Sequence, residues 1–263
     1  MKRSFWKSDW FAGVVISLLF LLAGGSAILQ SLERVAYDWG VQATTRVAGD
    51  KVAVIAIDDQ SIANIGRWPW SRDVHAKMTD MLTGAQAKVI GNTVFFVEPQ
   101  IDPGLIYINK ISKFVENSST PETEDITYGL DELKALLQEA ESALNTDAKL
   151  AESFKNAGNV VLAMPFIVGE PRGNPDRPLP EYVVKNSLSK ILDRIGAEEM
   201  GLLPIPTIAA LPPIAEIGEN AAAIGHLNAN PDVDGAIRSE PLILTHYDKY
   251  YPSLSIQIAA KYL

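Results

Sequence analysis

Two adjacent carboxylates, Asp58 and Asp59, follow the apolar run from Lys51 to Ile57 and stand at the carboxyl end of an expected strand. Open α/β sheets place their ligand crevices there. Two acids on one rigid backbone point in different directions, which suits them to hold a hard cation or act as a base. The alternative is that one caps the next helix turn and the other is solvated. A little further on, Gly66-Arg67-Trp68-Pro69-Trp70-Ser71-Arg72 gathers two indoles and two guanidiniums in seven positions. Such a patch stacks on a ring or cation and clamps an anion through bidentate hydrogen bonds. Equally, the indoles fill the core edge and Arg72 pairs with Asp58 or Asp59.

A third group alternates oxygen side chains at Asn228, Asn230, Asp232 and Asp234 before Gly235. Calcium loops present ligands this way, but in that register from Asn230 the twelfth position is Pro241 where glutamate is needed, and Arg238 brings a cation close. A turn held by Asx-type hydrogen bonds fits better. His75, His226 and His246 are scattered and read as structural. Phosphate-loop, nucleophile-elbow and His-Glu-x-x-His patterns do not occur. With no cysteine among 263 residues, disulfides, thiolate metal sites and a cysteine nucleophile are excluded.

The elements that must position these groups follow from hydropathy. A chain with 47% hydrophobic and 21% charged residues is able to build a core, and 23 bases against 32 acids argue against nucleic acid as a partner. From Trp10 to Leu32, 23 residues carry no charge, enough for about 34 Å of helix against a bilayer core of about 30 Å. The expectation is a cytoplasmic tail over 1–9, a transmembrane helix over 10–32 and an extracytoplasmic domain over 33–263. Lys2, Arg3 and Lys7 keep the tail inside, and Trp6 and Trp10 suit the interfacial belt. A cleaved signal peptide ending near Gly25-Ser26-Ala27 is the rival. Beyond Glu33 an amphipathic stretch prolongs the helix to about Arg46.

The exported part reads as α/β, a mixed and largely parallel sheet flanked by helices. Lys51 to Ile57 and Lys88 to Val97 are expected strands around a helix that starts after Ser71, buries Val74, Met78, Met81 and Leu82, and stops at Gly84. An acidic, solvated insertion covers about 98–145, with a turn over Asn117 to Pro121, acids from Glu122 to Glu132 and a surface helix from Asp131 to Leu144. A helix over Asp147 to Ala157, stopped by Gly158, feeds a strand from Asn159 to Val168. Gly169 to Pro180 is a loop, Leu202 to Ile217 a buried extended connector, and Ala222 to Leu227 and Ala236 to Thr245 two strands joined by the Asn228 to Gly235 turn. Pro252 to Leu263 closes as a helix with proline in its first turn.

The order of these pieces resembles one family. An apolar N-terminal segment, Tyr37-Asp38, Ile57-Asp58-Asp59-Gln60-Ser61-Ile62, the Trp68-Pro69-Trp70-Ser71-Arg72 block, Gly225-His226-Leu227-Asn228 and Asp232-Val233-Asp234-Gly235-Ala236-Ile237-Arg238 are similar to the CHASE2 family of bacterial extracytoplasmic sensor domains. The resemblance spans roughly Leu32 to Leu263, with little contribution from the acidic middle. Asn92 stands where the family often carries an aspartate, so no acid role carries over there. Membership implies the input part of a transmembrane receptor whose output, a serine/threonine kinase, nucleotide cyclase or histidine kinase, lies elsewhere. It implies no catalysis and no cofactor in this chain, a periplasmic or external domain at the bacterial inner membrane, lipid contact through Trp10 to Leu32, and a small ligand or external protein as partner, with homo-oligomers open. The expected pocket is Asp58, Asp59, Arg67, Trp68, Trp70 and Arg72, with Asn228, Asp232, Asp234 and Arg238 as a second wall. Two rivals remain: a membrane-anchored scaffold, and metal-assisted hydrolysis by Asp58, Asp59, Asp232 and Asp234.

Overall fold

The apolar run after Asp9 makes two helices where one was expected. In the computed structural model α1 covers Asp9–Ala23 and α2 covers Ala27–Ala43. Ser26 starts α2 afresh: its backbone is extended and its Oγ accepts the Leu29 N–H at 3.4 Å. Such a cap satisfies one of the amide donors that every helix start leaves open. Among the described residues no helix is long and apolar enough to cross a membrane, and the residues expected as one helix over 10–32 divide between α1 and α2. The described residues are 9–23, 26–45, 49–117, 124–175, 177–192, 196, 199–200 and 204–263. The expectations placed on Lys2, Arg3, Trp6, Lys7, Gly25, Arg46, Ser118 to Glu122 and Leu202 lie outside them.

Two compact units divide the chain, Met1–Asp59 and Gln60–Leu263. In the first, the expected strand from Lys51 to Ile57 does not form, and its side chains are exposed, Val54 at 87%. β-branched composition gives a segment strand propensity, but a strand exists only where a neighbour takes its backbone hydrogen bonds. The strand–helix–strand unit read from this region is corrected accordingly.

At the junction of the units lies α3 (Asp59–Ile65), followed in the second unit by α4 (Arg72–Gly84), β1 (Ile90–Asn92), α5 (Pro103–Asn117), α6 (Glu124–Leu144) and α7 (Thr146–Ala157). β2 (Val160–Met164), β3 (Phe166–Val168), α8 (Glu181–Val184), β4 (Ile205–Ala210), α9 (Ala215–Gly218), β5 (Ala223–His226), β6 (Ile243–His246), β7 (Lys249–Pro252) and α10 (Leu254–Tyr262) complete it. The expected helices after Ser71, from Asp131 to Leu144, from Asp147 to Ala157 and at the C-terminal end are all present. The acidic middle is largely a pair of packed helices, α5 on α6.

Two sheets result. One is wholly parallel in the order β1-β2-β5, and the other is mixed in the order β3-β4-β6-β7, with β4 and β6 parallel and the outer pairs antiparallel. The single strand expected from Asn159 to Val168 therefore splits between sheets, and Pro165, which has no N–H to give to a ladder, lies at the split. β5 and β6 also fall in different sheets, so the segment between them is a crossover between sheets and not a hairpin turn. The connector expected from Leu202 to Ile217 contains β4 and α9, and Pro252 ends β7 while Ser253 caps α10, its Oγ accepting the Ile256 N–H.

The core lies between the sheets and α4, α7 and α9, built on Leu150, Phe154, Val160, Leu162, Met164, Ile217 and Leu244. α4 buries His75, Ala76 and Thr79; of the expected apolar face Leu82 packs against the core and Val74 is half-buried, while Met78 and Met81 are exposed. Small Ala76 and Thr79 let α4 approach α7, and the Thr79 hydroxyl donates to the His75 carbonyl at 2.9 Å, so its polarity is met within the helix. A Cβ at Gly225 would lie 2.7 Å from the Leu254 backbone, so this strand position must be glycine for α10 to start against β5.

Candidate functional site

The Trp-Pro-Trp block begins where α3 ends. Gly66 N–H closes the helix on the Ile62 carbonyl at 2.9 Å, and the Gly66 carbonyl accepts the Trp70 indole N–H at 2.8 Å, which fixes that ring. The Trp68–Pro69 peptide bond is cis. From this edge a relay of aromatic contacts runs inward: Trp70 to Trp68 at 5.5 Å between ring centres, Trp68 to His75 at 5.8 Å, His75 to Phe96 at 5.6 Å and Phe96 to Phe154 at 6.1 Å. Each step is edge-to-face, the arrangement that sets the positive rim of one ring against the negative face of the next. Trp68 and Trp70 are half-buried, Arg67 is exposed, and Phe96 and Phe154 belong to the core.

His75 sits where indoles meet core. It is 8% exposed, and its Nε2 has no hydrogen-bond partner among the described residues. Burial, and after it the positive charge of Arg72, lowers its pKa, so the ring is neutral at neutral pH.

Arg72 is committed inward. Its guanidinium lies 4.7 Å from the centre of the Phe96 ring, its Nε donates to Asp147 Oδ1 at 3.1 Å and its Nη2 to the Glu98 carbonyl at 3.0 Å. Gln100 ties the same knot: its backbone N–H donates to Asp147 Oδ2 at 2.7 Å, and its Oε1 accepts the Arg72 backbone N–H at 2.7 Å and the Thr146 hydroxyl at 2.9 Å. The clamp therefore joins α4, the segment after Phe96 and the first turn of α7. The acid paired with Arg72 is Asp147, in place of the expected Asp58 or Asp59. Asp147 and Gln100 carried no local signal in the sequence, since each matters only through a partner in another element.

Asp58 and Asp59 belong to the first unit, and both are exposed. Asp59 occupies the first turn of α3, where a carboxylate complements the positive end of the helix dipole.

The second expected wall holds its own loop together. Arg238 Nη1 reaches Asp232 Oδ2 at 2.7 Å and Asp234 Oδ1 at 2.9 Å, and Nη2 reaches Asp234 Oδ2 at 2.9 Å. A guanidinium stands between the two carboxylates where a cation would have to sit, which counts against the hydrolase reading. Among the described residues no three His, Asp or Glu side chains are grouped to hold a metal ion. Asn228 behaves like a strand residue, its Oδ1 accepting the Phe166 N–H at 2.9 Å and its Nδ2 donating to the Phe166 carbonyl at 2.6 Å. In the first expected wall Arg72 bonds to Asp147 against Phe96, and in the second Arg238 bonds to Asp232 and Asp234 while Asn228 bonds to Phe166. Arg72, Asn228, Asp232, Asp234 and Arg238 are each bonded to other residues of the fold, while Arg67 is exposed and Trp68 and Trp70 are half-buried.

The family model described as CHASE2 domain matches residues 12–263, nearly the whole chain. No curated protein and no solved structure matches it.

Proposed function

The chain belongs to the CHASE2 family of sensory domains, and from that premise we propose that it is the extracytoplasmic input part of a bacterial transmembrane receptor. The apolar residues from Trp10 to Leu32 hold it at the inner membrane, and an output such as a kinase or cyclase acts on the other side. A small ligand or external protein is read at the edge formed by Arg67, Trp68 and Trp70. The observation that carries this reading is the buried His75, edge-to-face with Trp68, whose Nε2 has no hydrogen-bond partner among the described residues. A buried polar atom left without a partner costs about 1–3 kcal/mol, and a group entering at the indoles repays that cost by bonding to it. The ligand then shifts the domain between two arrangements by no more than its difference in affinity for them. The absence of cysteine from the chain makes the placement testable. A membrane-impermeant maleimide applied to intact cells labels the thiol introduced by Asp248→Cys, an exposed position, and labels that of Lys7→Cys only after lysis. The reverse pattern overturns the assignment.

A further inference from the structure

Helix α5 carries an outward face of unusual composition. At 100° per residue, Lys113, Ile106, Lys110, Phe114, Tyr107 and Ile111 fall in that order around a contiguous arc of about 160°, and all six are exposed, Tyr107 at 66% and Phe114 at 72%. The rest of the helix is the covered side, with Val115 buried at the border of the arc and Leu105, Ile108 and Ser112 half-buried opposite it, so the exposed arc is left over when α5 packs on α6. The Lys110 Nζ lies over the Tyr107 ring, 5.3 Å from its centre, so cation and aromatic face share this side of the helix. The one acid among the described outward residues of α5, Glu116, lies off the arc.

We propose that this face of α5 lies on an anionic lipid surface, with Phe114, Tyr107, Ile106 and Ile111 at the head-group boundary and Lys110 and Lys113 among the lipid phosphates. Large apolar and aromatic side chains on one face with lysines beside them are what an interfacial helix needs. Charge selects the occupant. In a chain of net charge −9, this face carries two cations and no acid, which complements anionic head groups. A second copy seated face to face would set lysine against lysine. The inference rests on the membrane placement proposed above.

The test uses the full chain in vesicles of phosphatidylcholine alone or mixed equally with phosphatidylglycerol. The thiol of Phe114→Cys carries a polarity-sensitive fluorophore, and Glu139→Cys, an exposed acid of α6, serves as control. In mixed vesicles the label at 114 shifts to the blue and is quenched by brominated lipid, while the label at 139 is not. Adding Lys110→Glu and Lys113→Glu lowers the inserted fraction by about an order of magnitude or more. A label at 114 that stays in water while the chain floats with the vesicles overturns the inference and spares the anchor. Burial that instead tracks protein concentration in detergent micelles overturns it in favour of a second copy. A chain that floats with neither vesicle overturns both readings.

Discussion

Replacing Arg72 with alanine separates a binding role from a structural one. The guanidinium and the Asp147 carboxylate have side-chain exposures of 12% and 7%, so removing the cation leaves a nearly buried acid without its charge partner. Breaking such a pair from one side costs about 3–5 kcal/mol. The lost bond to the Glu98 carbonyl and the contact with Phe96 fall within that figure, because truncation removes them together. In a domain of this size each kcal/mol moves Tm by about 2–4 °C, so the midpoint drops on the order of 10 °C. Urea unfolding of the full chain in mild detergent, followed by circular dichroism, reads the same loss as a lower midpoint at unchanged slope. The double variant Arg72→Met with Asp147→Asn recovers part of it, because neither charge is then stranded and the amide oxygen at 147 still accepts the Gln100 N–H. A loss below about 1 kcal/mol in the single variant, or a double variant worse than either single one, refutes the account of the clamp.

Two further outcomes follow from the same geometry. His226 is fully buried, and burial holds its pKa down at about 4 against 6.5 in the unfolded chain. The unfolded state therefore binds the proton first: the stability this ring contributes is complete above about pH 6.5 and is lost as pH falls toward 4, a change of about 3 kcal/mol. Unfolding midpoints taken across that window show the decline in the parent and a flatter profile in His226→Gln; equal slopes refute the assignment. Asn228→Ala strands the N–H and carbonyl of the buried Phe166 and costs about 2 kcal/mol. Faster hydrogen exchange at the Phe166 amide reports it, and unchanged exchange shows that the side chain was not holding that strand end.

The end of the helix from Thr146 to Ala157 was legible because Gly158, in the left-handed conformation, acts within a few residues, whereas Ser71 before α4 makes no side-chain cap and its hydroxyl donates to Gln100. The face that α4 buries was legible only in part: Leu82 packs against the core, but Met78 and Met81, more apolar than His75 and Thr79, stay exposed, and Thr79 satisfies its hydroxyl within the helix. The Trp-Pro-Trp-x-Arg block stood out by composition, and its two halves then took different jobs: the indoles form an edge while Arg72 turns inward. Asp232, Asp234 and Arg238 were legible as a group because their spacing is local. Whether they bind an ion or each other was not, since that depends on where one guanidinium comes to rest.

The sequence by itself determined the family, the apolar N-terminal segment, the alternation of helices and strands in the larger unit and the exclusion of cysteine chemistry, all of which are read over short windows. Only the tertiary structure decided that Asp147 is the partner of Arg72, that the strand expected from Asn159 to Val168 divides between two sheets, and that Lys51 to Ile57 forms no strand. Each of those depends on which distant backbone or side chain supplies the missing hydrogen bond or charge, and that choice is made by packing across the whole chain.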